Sequence, residues 1–267
     1  MHPIRSAAAA VLLAGAGLAL RADVPGRITT TDGRQLQGDV RWQPVQKQYV
    51  LTIKQGNLPV VLNLSPAQVA DVRVAPPPGW NELLTAIRDG RAAQAVPQLE
   101  KVVKDYAMLQ YDVVAGQVLA QVHLRENRPA DALRVAEAVI ASKPEAGTTS
   151  DLAPVYWEAM LATGRTGRLA PALEEAIKSA PRPVAARAHT LRGDLLMSEG
   201  RPRDALKDGY LRTITLFRDV RDAQPEALFK AAVAFEELQQ VQYAESMRQR
   251  LLSGFADSDY AKRLRGK

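Results

Sequence analysis

One short phrase recurs along the chain and limits what it can fold into. Gly90-Arg-Ala-Ala-Gln-Ala-Val96, Asn127-Arg-Pro-Ala-Asp-Ala-Leu133, Gly167-Arg-Leu-Ala-Pro-Ala-Leu173 and Gly200-Arg-Pro-Arg-Asp-Ala-Leu206 follow one another at spacings of 37, 40 and 33 residues. Gly and Asn are the residues that accept the left-handed conformation closing a helix, and Pro129 and Pro202 suit the opening of the next one. Apolar residues keep helical spacing on either side, as Val114, Val118, Leu119 and Val122 before the second copy and Leu133, Val135, Ala136, Val139 and Ile140 after it. Each unit therefore reads as helix, turn, helix, and the small Ala five residues after the Gly lets the two helices approach closely. A pair of helices cannot bury its apolar face alone, so a repeat of this size predicts a stack.

These residues resemble the tetratricopeptide repeat family, which has small residues at the eighth and twentieth positions of its repeat and a Pro near its end. Ala120, Ala132 and Pro144 match all three, Gly193 and Ala205 match in the fourth unit, and Ala232 and Ala244 match in a fifth whose turn has become Gln239-Gln240. The first unit has Leu83 with Ala95; the third is degenerate, with Met160 at the small position and Pro181 closing it early. Asp208 to Asp222 exceeds a standard second helix. The resemblance covers residues 81–267 and implies a mainly α architecture, a TPR-like α-solenoid of about five units with a concave groove. In the family's register that groove includes Gln117, Gln121 and Arg125, then Trp157, then Arg187, Thr190 and Asp194, then Phe229, Glu236 and Glu237. Such grooves hold peptides and partner proteins. The stretch Phe255-Ala-Asp-Ser-Asp-Tyr-Ala261 resembles a helix-ending phrase in repeats of envelope proteins such as the periplasmic coordinator of the Tol-Pal system, with Ala256 where Pro is usual.

Between Arg27 and Val74 the apolar period changes from helical to alternating. Leu36, Gly38, Val40 and Trp42 share one face, as do Tyr49, Leu51 and Ile53, and Val60, Leu62 and Leu64. Asp32-Gly33 and Gly56-Asn57 supply tight turns between these strands. A last strand, Ala70 to Val74, follows a helical turn at Ser65-Pro-Ala-Gln68. Five short strands resemble a small barrel of the Sm or Src-homology type, placed at residues 23–75. Trp42, Tyr49 and Lys54 would form a binding face in such a barrel, but the two rings keep the period of the core positions. Fewer than 60 residues make a marginal core, so the module is expected to lean on the first repeat and to cover Leu83, Leu84 and Ile87. A Pro-rich linker at 76–80 separates the two parts, because a proline run continues neither sheet nor helix.

The first residues read as an address. Arg5 precedes an uncharged run from Ala7 to Leu20, followed by Ala22, the layout of a secretory signal at residues 1–22. Fourteen helical residues reach about 21 Å, short of a bilayer core of roughly 30 Å. The expectation is a soluble, exported, periplasmic or otherwise extracytoplasmic protein. Cleavage after Ala22 removes Arg5 and Arg21 and lowers the net charge from +6 to +4, which is closer to a solubility feature than a steering field.

Composition removes most chemistry. The chain has no Cys, hence no disulfide, thiol nucleophile or thiolate metal site. Of its three His, His2 lies in the export segment, His123 reads as a satisfied core residue, and His189 has no ligand partner at i, i+4. No nucleophile elbow, His-Glu-x-x-His, phosphate loop or dinucleotide fingerprint occurs. Glu174-Glu175 and Glu236-Glu237 are adjacent on helices and point about 100° apart. The basic tail Lys262 to Lys267 lacks the interleaved aromatics of a nucleic-acid site. The reading is a noncatalytic scaffold with no cofactor and no metal, its partner an envelope protein or peptide; polyanion binding and an unrecognised enzyme are the alternatives.

Overall fold

The computed structural model describes residues 23–55 and 58–266; the expected export signal at 1–22 and the expected turn at Gly56-Asn57 lie outside these. Strands β1 (Val24–Thr30), β2 (Gln35–Gln43), β3 (Gln48–Gln55), β4 (Leu58–Leu64) and β5 (Val69–Val74) form one antiparallel sheet in the order β4-β3-β2-β1-β5. Its register places Val40 opposite Leu51, Trp42 opposite Tyr49, and Tyr49 opposite Leu64, so the alternating apolar positions do share a face. The sheet stays open, and the closed barrel expected from five short strands does not form: β4 and β5 are its two ends. Helices, in place of the sheet's own curl, cover the apolar face. Val24, Ile28, Val40, Trp42, Tyr49 and Leu51 belong to the same buried cluster as Trp80, Leu83, Leu99 and Tyr106, with Leu84 and Ile87 half-buried against it. Trp42 and Tyr49 meet edge-on at 4.8 Å inside this contact, and Lys54 stays in solvent.

The helices run as consecutive hairpins. They are α1 (Trp80–Arg88) and α2 (Ala92–Asp105); α3 (Tyr111–Arg125) and α4 (Pro129–Ser142); a short α5 (Ala146–Thr149); α6 (Leu152–Ala162) and α7 (Thr166–Ser179); α8 (Arg182–Ser198), then α9 (Pro202–Asp204), a π-helical turn Ala205–Tyr210 and α10 (Leu211–Leu216); α11 (Gln224–Glu237) and α12 (Val241–Gly254); and a final α13 (Asp259–Arg265). Every hairpin closes in the same way. Gly90, Asn127, Gly164, Gly200 and Gln239 all have positive φ. In each case the N–H of that residue donates to the carbonyl three back and the next N–H to the carbonyl five back, as Gly90 to Ile87 and Arg91 to Ala86, or Gln239 to Glu236 and Gln240 to Phe235. This repeated cap is what makes the stack TPR-like.

The third cap corrects the sequence register. The turn residue is Gly164, not Gly167, which lies inside α7. Gly164 donates to Leu161 and Arg165 to Met160, reproducing the other four caps. The turn spacings are then 37, 37, 36 and 39. Gly164-Arg165 and Gly167-Arg168 spell the same dipeptide three residues apart, which is why the phrase misaligned. In the corrected register the paired close-packing positions of unit three hold Trp157 and Leu169, both without exposed surface, where unit two has Ala120 and Ala132.

Unit four absorbs its extra length through the π turn and a loop ending in the 3₁₀ turn Arg221–Ala223. There the backbones nearly touch: a Cβ on Gly209 would stand 2.5 Å from the Cα of Gly193. A second buried cluster runs from Leu196 through α11 and α12 to Ala261. Among the described residues no helix is long and apolar enough to cross a membrane.

Candidate functional site

Helices α3, α6 and α8, the first of three consecutive hairpins, line a cleft of about 670 Å³. Gln117 and Gln121 are four apart on α3 and so share a face; Pro154 and Val155 come from α6, Pro183 and Arg187 from α8, and Asp219 to Asp222 close the far side. A cavity of about 530 Å³ continues it past Arg187, Arg221 and Asp222 to Glu226 and the segment Gly254 to Tyr260. Arg182 is held across the cleft rim: its Nε donates to Asp219 at 2.9 Å and a terminal nitrogen donates to the Leu216 carbonyl at 3.0 Å. The Arg182 guanidinium holds the Asp219 carboxyl below the usual carboxylate range. Among the described residues Arg187, Arg221 and Asp222 have no ion-pair partner within 4 Å, although the Arg221 guanidinium sits 5.2 Å from the Phe255 ring.

Beside this run lies a part-buried polar chain. The Tyr210 hydroxyl donates to Asp194 Oδ1 at 2.8 Å, and Lys230 Nζ donates to Asp194 Oδ2 at 2.6 Å and to Glu226 Oε1 at 2.5 Å. Burial pushes the Asp194 carboxyl up against the pull of Lys230. Burial pulls the Lys230 ammonium down, but Asp194 and Glu226 more than offset this and hold it above its ordinary value. Desolvation, and then the Glu226 charge, raise the carboxyl of Glu158 on α6.

The residues named from sequence divide sharply. Gln117, Gln121 and Arg187 line the cleft. Arg125 is exposed away from it. Trp157 has no exposed surface and Thr190 only 2%, so neither can touch a partner. Trp157 fills the hairpin interior, and Thr190 lies 3.1 Å from the Thr213 hydroxyl. Asp194 is engaged by Tyr210 and Lys230. Phe229 is covered by the ring of Tyr260 at 5.5 Å. Glu236 is exposed and pairs with Arg248. Sequence reasoning missed Arg221, Lys230 and Glu158; the i, i+4 spacing of Glu226 and Lys230 was the available signal.

Among the described residues the histidines make no metal site. His123 is buried as expected but not satisfied, since neither ring nitrogen has a partner. His189 Nδ1 lies 3.4 Å from the Asp208 carbonyl. Among the described residues no group of three or more His, Asp or Glu is placed to hold a metal ion.

No protein-family model matches the chain, and no curated protein does. Solved structures of MamA are similar to it. One is 18% identical, with 64% of this chain and 86% of that one covered at a TM-score of 0.44. Another is 19% identical, covering 63% and 91% at a TM-score of 0.44.

Proposed function

We propose that the chain is an exported, noncatalytic scaffold whose cleft holds a segment of another cell-envelope protein. The observation that carries this reading is the cleft across α3, α6 and α8, with an apolar wall at Pro154, Val155 and Pro183 and open polar groups on Gln117, Gln121 and Arg187. Side-chain amides on consecutive turns can hydrogen-bond the main chain of an extended segment, and a guanidinium without an ion-pair partner can take an acceptor from it. Export rests on Arg5, the uncharged run to Leu20 and Ala22, and the envelope setting on the phrase from Phe255 to Ala261. On this reading residues 23–75 form a supporting module joined by the 76–80 linker to the repeat domain at 81–267.

The test is a crosslinked pull-down from envelope extract with the mature chain, beside a Gln121→Ala, Arg187→Ala, Arg221→Ala triple variant. Asp194 and Phe229 are left unchanged, because Tyr210 and Lys230 engage the first and Tyr260 covers the second. A partner captured by the parent and lost by the folded variant supports the cleft. Equal capture by both overturns it.

A further inference from the structure

The far end of the groove is occupied by the chain itself. Helix α13 has seven residues, too few to persist on their own, so its order comes from its seat. Ser258 caps it, accepting from the Ala261 N–H at 3.2 Å. Ala261 is fully buried, and Tyr260 and Leu264 pack against the cluster built by α11 and α12. The Tyr260 ring lies on Phe229 at 5.5 Å, and the Arg263 guanidinium stands 5.3 Å from that ring. Tyr260 lines one cavity with Arg187 of α8 and Glu226 of α11, and burial, then the Glu226 charge, push its phenol up to about 12. The loop leading into α13 forms one wall of the 530 Å³ cavity whose other wall carries Arg187 and Glu226.

The seat and its occupant match in two ways. Phe229 offers an apolar surface that the single ring of Tyr260 covers. Asp194 and Glu226 both pair with one ammonium, Lys230, while α13 carries Lys262, Arg263 and Arg265. Among the described residues Lys262 pairs only with Asp259 of its own helix, and no residue of α13 forms an ion pair with the groove wall. The contact itself is one aromatic pair and a small apolar stripe, the buried Ala261 and the part-buried Leu264.

We propose that α13 is an intramolecular stand-in for the partner at this end of the groove, and that the segment replacing it is a short amphipathic helix presenting an aromatic ring to Phe229 with Lys or Arg on the following turn. This rests on the groove being the binding surface. Partner engagement then exposes residues 259–265, so this segment reports occupancy.

The probe is a fluorescein-labelled peptide of the chain's own residues 256–267, titrated against the full chain and followed by anisotropy. In the wild type the peptide competes with α13. Tyr260→Ala in the full chain removes the aromatic contact, and the labelled peptide is expected to bind at least about tenfold tighter than to wild type, with that gain lost on adding Phe229→Ala. Equal binding to wild type and Tyr260→Ala overturns the proposal. Hydrogen exchange on the unaltered protein gives a reading that needs no variant. Amides of residues 261–265 exchanging well before the rest of α11 and α12 support a displaceable helix, and exchange only through global opening overturns it. Peptide binding to Tyr260→Ala alongside unchanged pull-down by the cleft triple variant would break the functional reading and not this one; loss of capture by the triple variant with no peptide binding would do the reverse.

Discussion

Gly193 and Gly209 meet backbone to backbone where α8 crosses the π turn: a Cβ at 209 would lie 2.5 Å from the Gly193 Cα and 2.6 Å from its nitrogen. No flexible side chain can move aside there, so Gly209→Ala has to push the two segments apart. The expected cost is about 1–3 kcal/mol, read as a fall in melting temperature of several degrees. Gly254→Ala, which would meet nothing within 4 Å, serves as the comparison and should leave the melting temperature close to wild type.

The corrected register makes a signed prediction. Gly164 has φ +72 and Gly167 is a helical residue whose Cβ would find open space. Gly164→Ala should destabilise by roughly 1 kcal/mol, and Gly167→Ala should be neutral or stabilise by up to about 1 kcal/mol. Denaturant midpoints of the two variants settle which residue closes the hairpin, and reversed signs would restore Gly167 as the turn.

Asp112 ties the sheet to the stack. It is 2% exposed, and accepts from the Met108 N–H at 2.7 Å, the Val113 N–H at 2.9 Å and Lys143 Nζ at 2.7 Å. The Met108 carbonyl in turn accepts from the Tyr49 hydroxyl at 3.3 Å. Asp112→Asn leaves the Lys143 charge in a mostly buried position without its counterion, a change that typically costs about 3–5 kcal/mol. Tyr49→Phe removes a neutral bond and should cost only about 0.5–1.5 kcal/mol. Equilibrium unfolding of the two variants should preserve that order.

His123 should contribute to acid sensitivity. Burial, and secondarily the Arg128 charge, hold its imidazole below the ordinary 6.5, with Asp131 and Glu126 opposing. A histidine disfavoured as a cation in the fold but free to protonate when unfolded gives stability that is present above the unfolded value and falls as the pH drops below it. The slope cannot exceed about 1.4 kcal/mol per pH unit for one proton. Raised carboxylates such as Asp194 act with the opposite sign, so the comparison is made by difference. The wild type should lose more stability than His123→Leu between pH 7.5 and 5.5, by up to about 1.4 kcal/mol; equal losses would mean that His123 titrates normally.

The hairpins were readable because each turn demands a residue tolerant of positive φ, and five such residues stand at nearly regular intervals. The third was misread although a second marker existed: Pro97 and Pro171 each lie seven residues after their turn Gly once Gly164 is used, and both face solvent within their helices. Strand alternation named Val40, Trp42, Tyr49 and Leu51 correctly as one face, but a period of two says nothing about whether end strands meet, and so the barrel was overdrawn. The groove was the least legible part. A first helix carries both core and groove residues about 100° apart per residue, and the shifted register of unit three left Trp157 on the wrong side. For Phe229 the groove position was legible but its cover was not: Tyr260 lies 31 residues later, a pairing no local pattern encodes.

All three tryptophans are buried, and Trp42, Trp80 and Trp157 belong to one cluster that runs from the sheet to α8, whereas the cluster from Leu196 to Ala261 contains none. Indole emission therefore watches only the first part of the chain, and the last hairpin and α13 are optically silent. A single cooperative transition would give superimposable curves by fluorescence and by far-ultraviolet dichroism. Should the C-terminal cluster melt on its own, ellipticity would be lost while the emission maximum stayed blue, and the protein would report its own divided architecture without any label.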